Sequence, residues 1–321
     1  MTENVCRKNK RIIDRPILVV DGLNVFMRFF VTSPAMSTLG QHCGGFLGFL
    51  GGLGNLCEKF NPKSVIIVWE SGGSIKKRGI DPTYKNGRRP AKLNRYYGDD
   101  IPSTTENHNS QVSLLVKALE HLPVTQLYVR GCEADDVIGY LVRHKLSGTR
   151  SIMVSSDKDL YQLINDNNTQ WSPGQKKLID KDEVLKKFGI SSENFCTAKV
   201  FTGDPGDNVQ GVKGAGFKTL AKWFPELAGT EFVSYENVVD RANAICLENK
   251  GKTIKLIAES KKLAAKNWKL MYLSTSRLAG DQVQKINSQL ENRGKSDKMS
   301  LMRLLVNSGM QKFDIDRNFL S

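Results

Sequence analysis

The sequence predicts an α/β protein with a central, mostly parallel sheet flanked by helices, followed by a C-terminal helical lobe. Three observations predict it. Four short, continuously apolar runs each lead into acid: residues 17–20 before Asp21, 65–69 before Glu70, 124–129 shortly before Glu133, and 151–156 before Asp157. Such runs suit strands buried on both faces. The stretches between them are long enough for crossover helices, which make neighbouring strands parallel. Past Ile179, apolar residues recur at helical spacing instead.

Along the chain, the first strand is followed by a glycine-rich run, 44–52, whose apolar faces predict a close-packed helix under the sheet despite the helical cost of glycine. His42 beside Cys43 fits the packing of that helix better than a ligand pair. After the second strand, 98–110 is polar and rich in turn residues. A helical pattern then begins near Val112 and runs to Leu122. The third strand leads through Gly131-Cys132 into Glu133-Ala134-Asp135-Asp136, with a helix from Val137. Residues 160–164 have helical spacing. Trp171-Ser172-Pro173-Gly174 marks a hairpin turn between two short extended runs. Helices are expected over 181–188 and 193–201. The expected partition is an α/β lobe over 1–180, with a basic segment at about 76–110, and a helical lobe over 181–321 holding a hairpin at about 196–224.

Parallel strands place their carboxyl ends on one edge, where open α/β sheets bind ligands. Glu133, Asp135 and Asp136 are three carboxylates within four residues, and acids so crowded resist ionising together unless cations hold them apart. One Asp after a strand is an ordinary turn or capping residue. Four acid-terminated strands converging on one edge form an oxygen-donor pool suited to hard divalent ions, Mg²⁺ first and Mn²⁺ as substitute. Zinc does not suit it, because the four histidines are scattered and the six cysteines contain no Cys-x-x-Cys pair.

Composition indicates a polyanionic partner. Lys+Arg is 47 against Asp+Glu 33, a net charge of +14, so the surface outside an acidic site must be more basic still. Nucleic acid fits better than membrane. No apolar run is long enough to span a bilayer. Asp14-Arg15-Pro16 interrupts the apolar residues after the basic N-terminus, unlike a secretory signal. Unpatterned cysteines suggest reduced thiols and a cytoplasmic setting.

The charge is concentrated. Lys76, Lys77, Arg78, Lys85, Arg88, Arg89, Lys92 and Arg95 share one stretch with Tyr84, Tyr96 and Tyr97, and Asp81 is the only acid from 76 to 97. Cations for phosphates and aromatic faces for unpaired bases suit a single-stranded end. Its glycines and prolines equally suit a solvated basic loop that orders on substrate. Farther on, Asp204 and Asp207 precede Gly211-Val212-Lys213-Gly214-Ala215-Gly216-Phe217-Lys218-Thr219. A nucleotide-binding P-loop is the tempting alternative, but Phe217 intervenes before Lys218-Thr219 and the loop follows a helix instead of a strand. A helix–hairpin–helix whose backbone N–H groups and lysines grip duplex phosphates fits better.

Together these motifs resemble the 5′-nucleases, the family of flap endonucleases, bacteriophage 5′-exonucleases and the nuclease domain of bacterial DNA polymerase I. Asp21-Gly22-Leu23-Asn24, Glu133-Ala134-Asp135-Asp136, Ser156-Asp157-Lys158-Asp159-Leu160 and the 203–214 loop stand in that family's order. Tyr84-Lys85-Asn86-Gly87-Arg88 resembles the basic motif of its helical arch. Gln170-Trp171-Ser172-Pro173 is most similar to the ribonuclease H members from T-even phages. The resemblance implies a PIN-like/5′-nuclease fold and cleavage with two or more Mg²⁺ ions. Asp21, Glu70, Glu133, Asp135 and Asp136 would hold one metal position, and Asp157, Asp159, Asp204 and Asp207 a second. Lys85 and Arg88 would act on the scissile phosphate. Tyr84, Arg89, Lys92 and Arg95 would bind nucleic acid from the arch, and Gly211, Lys213, Gly214, Gly216, Lys218 and Thr219 would grip duplex, with a K⁺ ion at the hairpin. Glu70 departs from the family, which usually has Asp there. The implied partners are DNA and RNA–DNA duplexes with a 5′ end or flap, and replication proteins such as a single-strand-binding protein, a clamp or a polymerase acting in trans, since no polymerase follows Ser321. A PIN-like single-strand endoribonuclease would explain the acids without the hairpin. A non-catalytic nucleic-acid-binding protein would explain the charge without the acids.

Overall fold

The apolar runs become strands because each buries both faces. In the computed structural model, which describes residues 15–86, 104–247, 251–311 and 313, six strands form one sheet: β1 (Ile17–Asp21), β2 (Ser64–Ser71), β3 (Thr125–Arg130), β4 (Ser151–Val154), β5 (Asn168–Ser172) and β6 (Lys177–Ile179). Their order is β3-β2-β1-β4-β5-β6. All neighbours pair in parallel except β5 and β6, the predicted hairpin. The chain steps from β1 outward to β2 and β3, then returns to place β4 on the other side of β1. Asp21 and the start of the β4 loop therefore face the switch point, where a crevice opens between strand ends.

Each sheet face carries its own core. On one, Leu18, Val20, Ile67 and Val154 meet Phe26 and Phe30 of α1 (Gly22–Thr32) and Phe46 and Phe49 of α2 (Gly44–Phe60). The glycine run of α2 allows this approach, since a Cβ on Gly48 would lie 2.6 Å from the Phe29 side chain. His42, just before α2, is buried and hydrogen-bonded to Gln111, the packing role expected of it. On the other face, Val19, Val68, Leu127 and Met153 meet Val137 and Ile138 of α5 (Ala134–Tyr140). Between β2 and β3 the chain forms α3 (Ile75–Ile80) and α4 (Thr104–Leu119). Residues 87–103, and with them Arg88, Arg89, Lys92 and Arg95, lie outside the described residues.

The helices after β6 are α6 (Lys181–Phe188), α7 (Phe195–Thr202), α8 (Phe217–Trp223), α9 (Tyr235–Cys246), α10 (Lys252–Ala258), α11 (Lys261–Met271), α12 (Gly280–Glu291) and α13 (Lys298–Asn307). A third core spans Ile190 to Met271. The last two helices do not join it, which differs from the expected lobe over 181–321. Ile286 of α12 packs in the β3 face of the sheet, and Leu301 and Leu305 of α13 pack in the opposite core. The physical reason is the free edge of β3. Gln289 exchanges hydrogen bonds with the Tyr128 backbone and Gln282 donates to the Arg130 carbonyl, so α12 satisfies an edge that would otherwise stay open. The helix expected over 160–164 is a 3₁₀ turn, Asp159–Leu163.

Candidate metal and nucleic-acid site

The β3 cluster is built by a helix start. Glu133 is the cap residue of α5, its N–H donating to Asp136 Oδ2 at 3.4 Å, and in the first turn the Asp136 N–H donates to Asp135 Oδ1 at 2.7 Å. One oxygen from each of Glu133, Asp135 and Asp136 can lie within 4.8 Å of the others. Asp21, at the end of β1, accepts from Asn24 N–H and from the Ser155 hydroxyl at 3.1 Å. Asp157 follows on the β4 loop, which Gln170 anchors by donating to the Ser155 and Asp157 carbonyls. Glu70 lines the same cleft as Glu133, Tyr84 and Lys85.

Two lysines inside this edge carry no local sequence signal of their place. Lys77 of α3, 2 % exposed, reaches Glu133 at 2.5 Å, Asp135 at 3.4 Å and Asp136 at 3.6 Å. Lys199 of α7 pairs with Asp159 and, at 2.8 Å, with Asp204. Lys77 is hidden in a basic run that suggests solvent exposure. Lys199 is three residues from the end of a helix, and no local pattern shows what that helix faces. Arg277, with Nη1 3.8 Å from Asp136, is equally silent in the sequence.

The resemblance groups Asp207 with Asp157, Asp159 and Asp204. Its carboxylate accepts from the Tyr84 hydroxyl at 3.3 Å and lies 3.9 Å from Lys85 Nζ, and its charge also helps raise Asp157, so it stands between the two groups. Tyr84 is expected to bind nucleic acid, but it is 6 % exposed and its hydroxyl also donates to Glu133 at 3.0 Å. A buried ring has no face to offer a base, so Tyr84 is a brace. It packs in the core of the helical lobe because the hairpin loop closes over it.

That closure is specific. Lys85 N–H donates to the Asp207 carbonyl and the Asn208 side chain donates to the Thr83 carbonyl. Lys85 itself has φ 55°, a left-handed conformation unusual for a side chain of its size, and its ammonium pairs with Glu133. The loop folds back tightly at Gly211, where a Cβ would lie 2.2 Å from the Thr202 carbonyl oxygen. Beyond it, Lys213, Gly214, Gly216 and Lys218 are exposed and Thr219 is half-buried at the start of α8.

The residues fit a divalent cation. Burial, with Asp157 and Asp135 nearby, pushes the Asp21 carboxyl up to about 7. Burial and Asp135 push Asp136 up to about 6. Asp157 moves the same way, but its side chain opens to solvent and water screens its neighbours, so the two deeper groups carry the argument. Burial opposes the charge of Asp135 as well, yet Lys77 and Lys85 hold it below the usual carboxylate range. The same acids, acting against burial, hold Lys77 and Lys85 above the usual lysine range. Asp136 Oδ1 is buried without a hydrogen-bond donor. Even with two lysines present, the edge remains short of positive charge, and its donors are all oxygen. The five described cysteines are free, and burial raises those whose shift is resolved, Cys43 and Cys57 to about 11 and Cys132 and Cys196 to about 12, so none is a ready nucleophile. Among the described residues no helix is long and apolar enough to cross a membrane.

An α/β sheet with an oxygen-only acidic edge, closed by a basic segment and a hairpin, is an arrangement suited to divalent cations and phosphate esters. Residues 16–189 match the family model for the 5′-3′ exonuclease N-terminal resolvase-like domain, and the chain belongs to that family. A 5′-3′ exonuclease of Buchnera aphidicola is 31 % identical over 209 residues, covering 64 % of this chain and 68 % of its own length. That of Aquifex aeolicus is 27 % identical over 252 residues, covering 76 % and 83 %. The thermostable DNA polymerase I of Thermus thermophilus is 28 % identical over 250 residues, and the match spans 77 % of this chain and 28 % of the polymerase. The flap endonuclease D15 of bacteriophage T5, solved as a pseudo-enzyme-product complex with DNA and metal ions, shares the fold with a TM-score of 0.70 at 20 % identity, covering 86 % of this chain and 98 % of D15. The chain is therefore a 5′-nuclease, a hydrolase of phosphodiesters, with the family's sheet and a carboxylate cluster whose geometry suits a metal ion.

Proposed function

We propose that this protein is a Mg²⁺-dependent, structure-specific 5′-nuclease that removes RNA primers or flaps from DNA during replication, acting as a 5′-3′ exonuclease and a flap endonuclease. One observation carries the reading: the base of the basic segment, Thr83–Lys85, is bonded to the hairpin loop at Asp207 and Asn208 directly over the acidic edge. A duplex held by the hairpin and an unpaired end held by the basic segment would thus meet at the carboxylates.

Asp21, Glu133, Asp135, Asp136 and Asp157 would hold the cations, with Glu70, Asp159, Asp204 and Asp207 around them. Bound divalent ions supply an activated water and neutralise charge on the attacking and leaving oxygens. The chain's own part is placement. Lys85, fixed through its backbone to the hairpin, would turn from Glu133 to the scissile phosphate and stabilise the charge that builds there, with Arg88 assigned the same role. Water adds to phosphorus, the 3′ oxygen leaves with a proton, and the 5′ phosphate stays on the product. Lys213 and Lys218 would bind duplex phosphates away from the cut. T5 D15 was solved with DNA and metal ions, and T5 5′-exonuclease with zinc, which supports a divalent-ion site and a DNA substrate here.

The test is cleavage of a 5′-flap, a nicked duplex and an RNA–DNA hybrid, each with and without Mg²⁺. Mg²⁺-dependent cutting at the duplex junction is expected. Cutting of single-stranded RNA alone would favour an endoribonuclease, and binding without cleavage would sink the reading.

A further inference from the structure

Resting on the reading of the acidic edge as a divalent-cation site, we infer that Lys77 is a positioning residue. Its ammonium is a resident counter-ion for Glu133, Asp135 and Asp136, and it keeps divalent binding weak until substrate phosphate adds its own charge. The ammonium meets one oxygen of each carboxylate: Glu133 Oε2 at 2.5 Å, Asp135 Oδ2 at 3.4 Å and Asp136 Oδ2 at 3.6 Å. The remaining oxygens face other groups. Glu133 Oε1 pairs with Lys85, Asp135 Oδ1 accepts from the Asp136 N–H, and Asp136 Oδ1 has no hydrogen-bond donor among the described residues. Lys77 therefore neutralises part of the cluster and leaves it short of positive charge.

The role of Lys77 differs from that of Lys85. The Ser74 hydroxyl accepts from the Lys77 N–H, the Lys77 carbonyl accepts from the Asp81 N–H, and Asp81 is clasped by Lys266 of α11 at 2.9 Å. The backbone of α3 thus fixes where Lys77 points. At 2 % exposure its ammonium is out of a phosphate's reach, whereas Lys85 is 21 % exposed. A lysine that only tied α3 to α5 would need one acid, and this one meets three. Its fixed charge has two effects. It lets three crowded acids fold together before any ion arrives. It also opposes an arriving divalent cation, because like charges repel through the little water left between them. Mg²⁺ sites with few free carboxylate charges are completed by substrate phosphates, so a cluster already part-neutralised by its own lysine takes its ions together with the substrate.

The test is Mn²⁺ binding to the full-length protein, read from the paramagnetic resonance signal of the free ion, with and without a 5′-flap duplex made resistant to cleavage. Wild type should bind Mn²⁺ at least about tenfold more tightly when the flap is present. Without the flap, Lys77→Met should bind Mn²⁺ at least about tenfold more tightly than wild type, and the flap should add less to it. Lys77→Arg, which keeps the charge, should behave as wild type does. If Lys77→Met folds only with Mn²⁺, the rise of its melting temperature with Mn²⁺ should be steeper than that of wild type, which reads the same linkage. Unchanged or weaker Mn²⁺ binding by folded Lys77→Met, or a variant that no Mn²⁺ concentration folds while Lys77→Arg is folded, would overturn the assignment of Lys77 and leave the cation site standing. A wild type that binds no Mn²⁺ with or without the flap would defeat the reading of the edge as a cation site, and this inference with it.

Discussion

Two lysines divide the acidic edge, and they do so differently. Lys77 is sealed in, with Glu133 and Asp136 at 2 % and 3 % exposure and Asp135 at 15 %. Lys199 bridges Asp159 and Asp204, which are 12 % and 28 % exposed. The first is a buried charge cluster in which every member depends on the others. The second is a clasp between sheet and hairpin that water still reaches. Buried pairs are costly to break because an unpaired charge is left inside, whereas solvent screens the clasp. The β3 end of the edge should thus couple chemistry to stability, and the β4 end should chiefly hold the two lobes in register.

The largest effect should come from the sealed side. Asp135→Asn should lower cleavage by at least about 10²–10³-fold with the fold intact by circular dichroism. Near-normal turnover at saturating Mg²⁺ would remove Asp135 from the site. Lys85→Ala, which deletes the movable cation of the same cluster, should reduce the saturated single-turnover rate by about 10²-fold and change affinity less. A pure affinity loss would make Lys85 a tether.

Stability sharpens the contrast between the lysines. In EDTA, Lys77→Met should cost about 3–5 kcal/mol in urea unfolding, and Mg²⁺ should restore much of it. Lys199→Met should cost less, about 1–2 kcal/mol, because Asp204, one of its two partners, is partly exposed. Equal losses would erase the distinction. A pH series tests the same point. The folded carboxyls of Asp21 and Asp136 sit at about 7 and about 6, above the ordinary value of 3.8, so the native state binds more protons than the unfolded chain between those limits. Their contribution to stability is fully present below about pH 4 and is lost as pH rises toward 7. In EDTA the melting temperature should carry that downward component, and saturating Mg²⁺, which favours the ionised carboxylates, should remove it. A Mg²⁺-independent pH profile would argue against cation binding by these two groups.

The smallest effect belongs to the hairpin. Lys213→Ala/Lys218→Ala should flatten the salt dependence of duplex binding by about 1.8, at about 0.9 per contact, and leave saturated turnover unchanged. A fall in turnover with an unchanged salt slope would place these lysines in the chemistry.

Periodicity alone carries the sheet, because strands buried on both faces need continuous apolar runs whatever surrounds them. It also carries the acidic edge: parallel strands bring their carboxyl ends together, so Asp21, Glu70, Glu133 and Asp157 are legible from the chain alone. The hairpin's identity rests on glycine spacing and a misplaced Phe217, which are local signals as well. What local pattern does not reveal is the partner of each charge. Lys77 and Arg78 are neighbours in one basic run, yet one is buried against three acids and the other is exposed. Tyr84 stands among cations that suit base stacking, yet its hydroxyl joins Glu133 to Asp207 across many intervening residues of chain. Charge pairing and burial depend on which elements meet in space, and the return of α12 to the open edge of β3 is decided by the same long-range packing. The order of residues along the chain specifies which chemistry gathers at the edge. Which cations share that edge follows from the packing of distant elements, because Coulomb energy depends on distance through space and on the water excluded between charges.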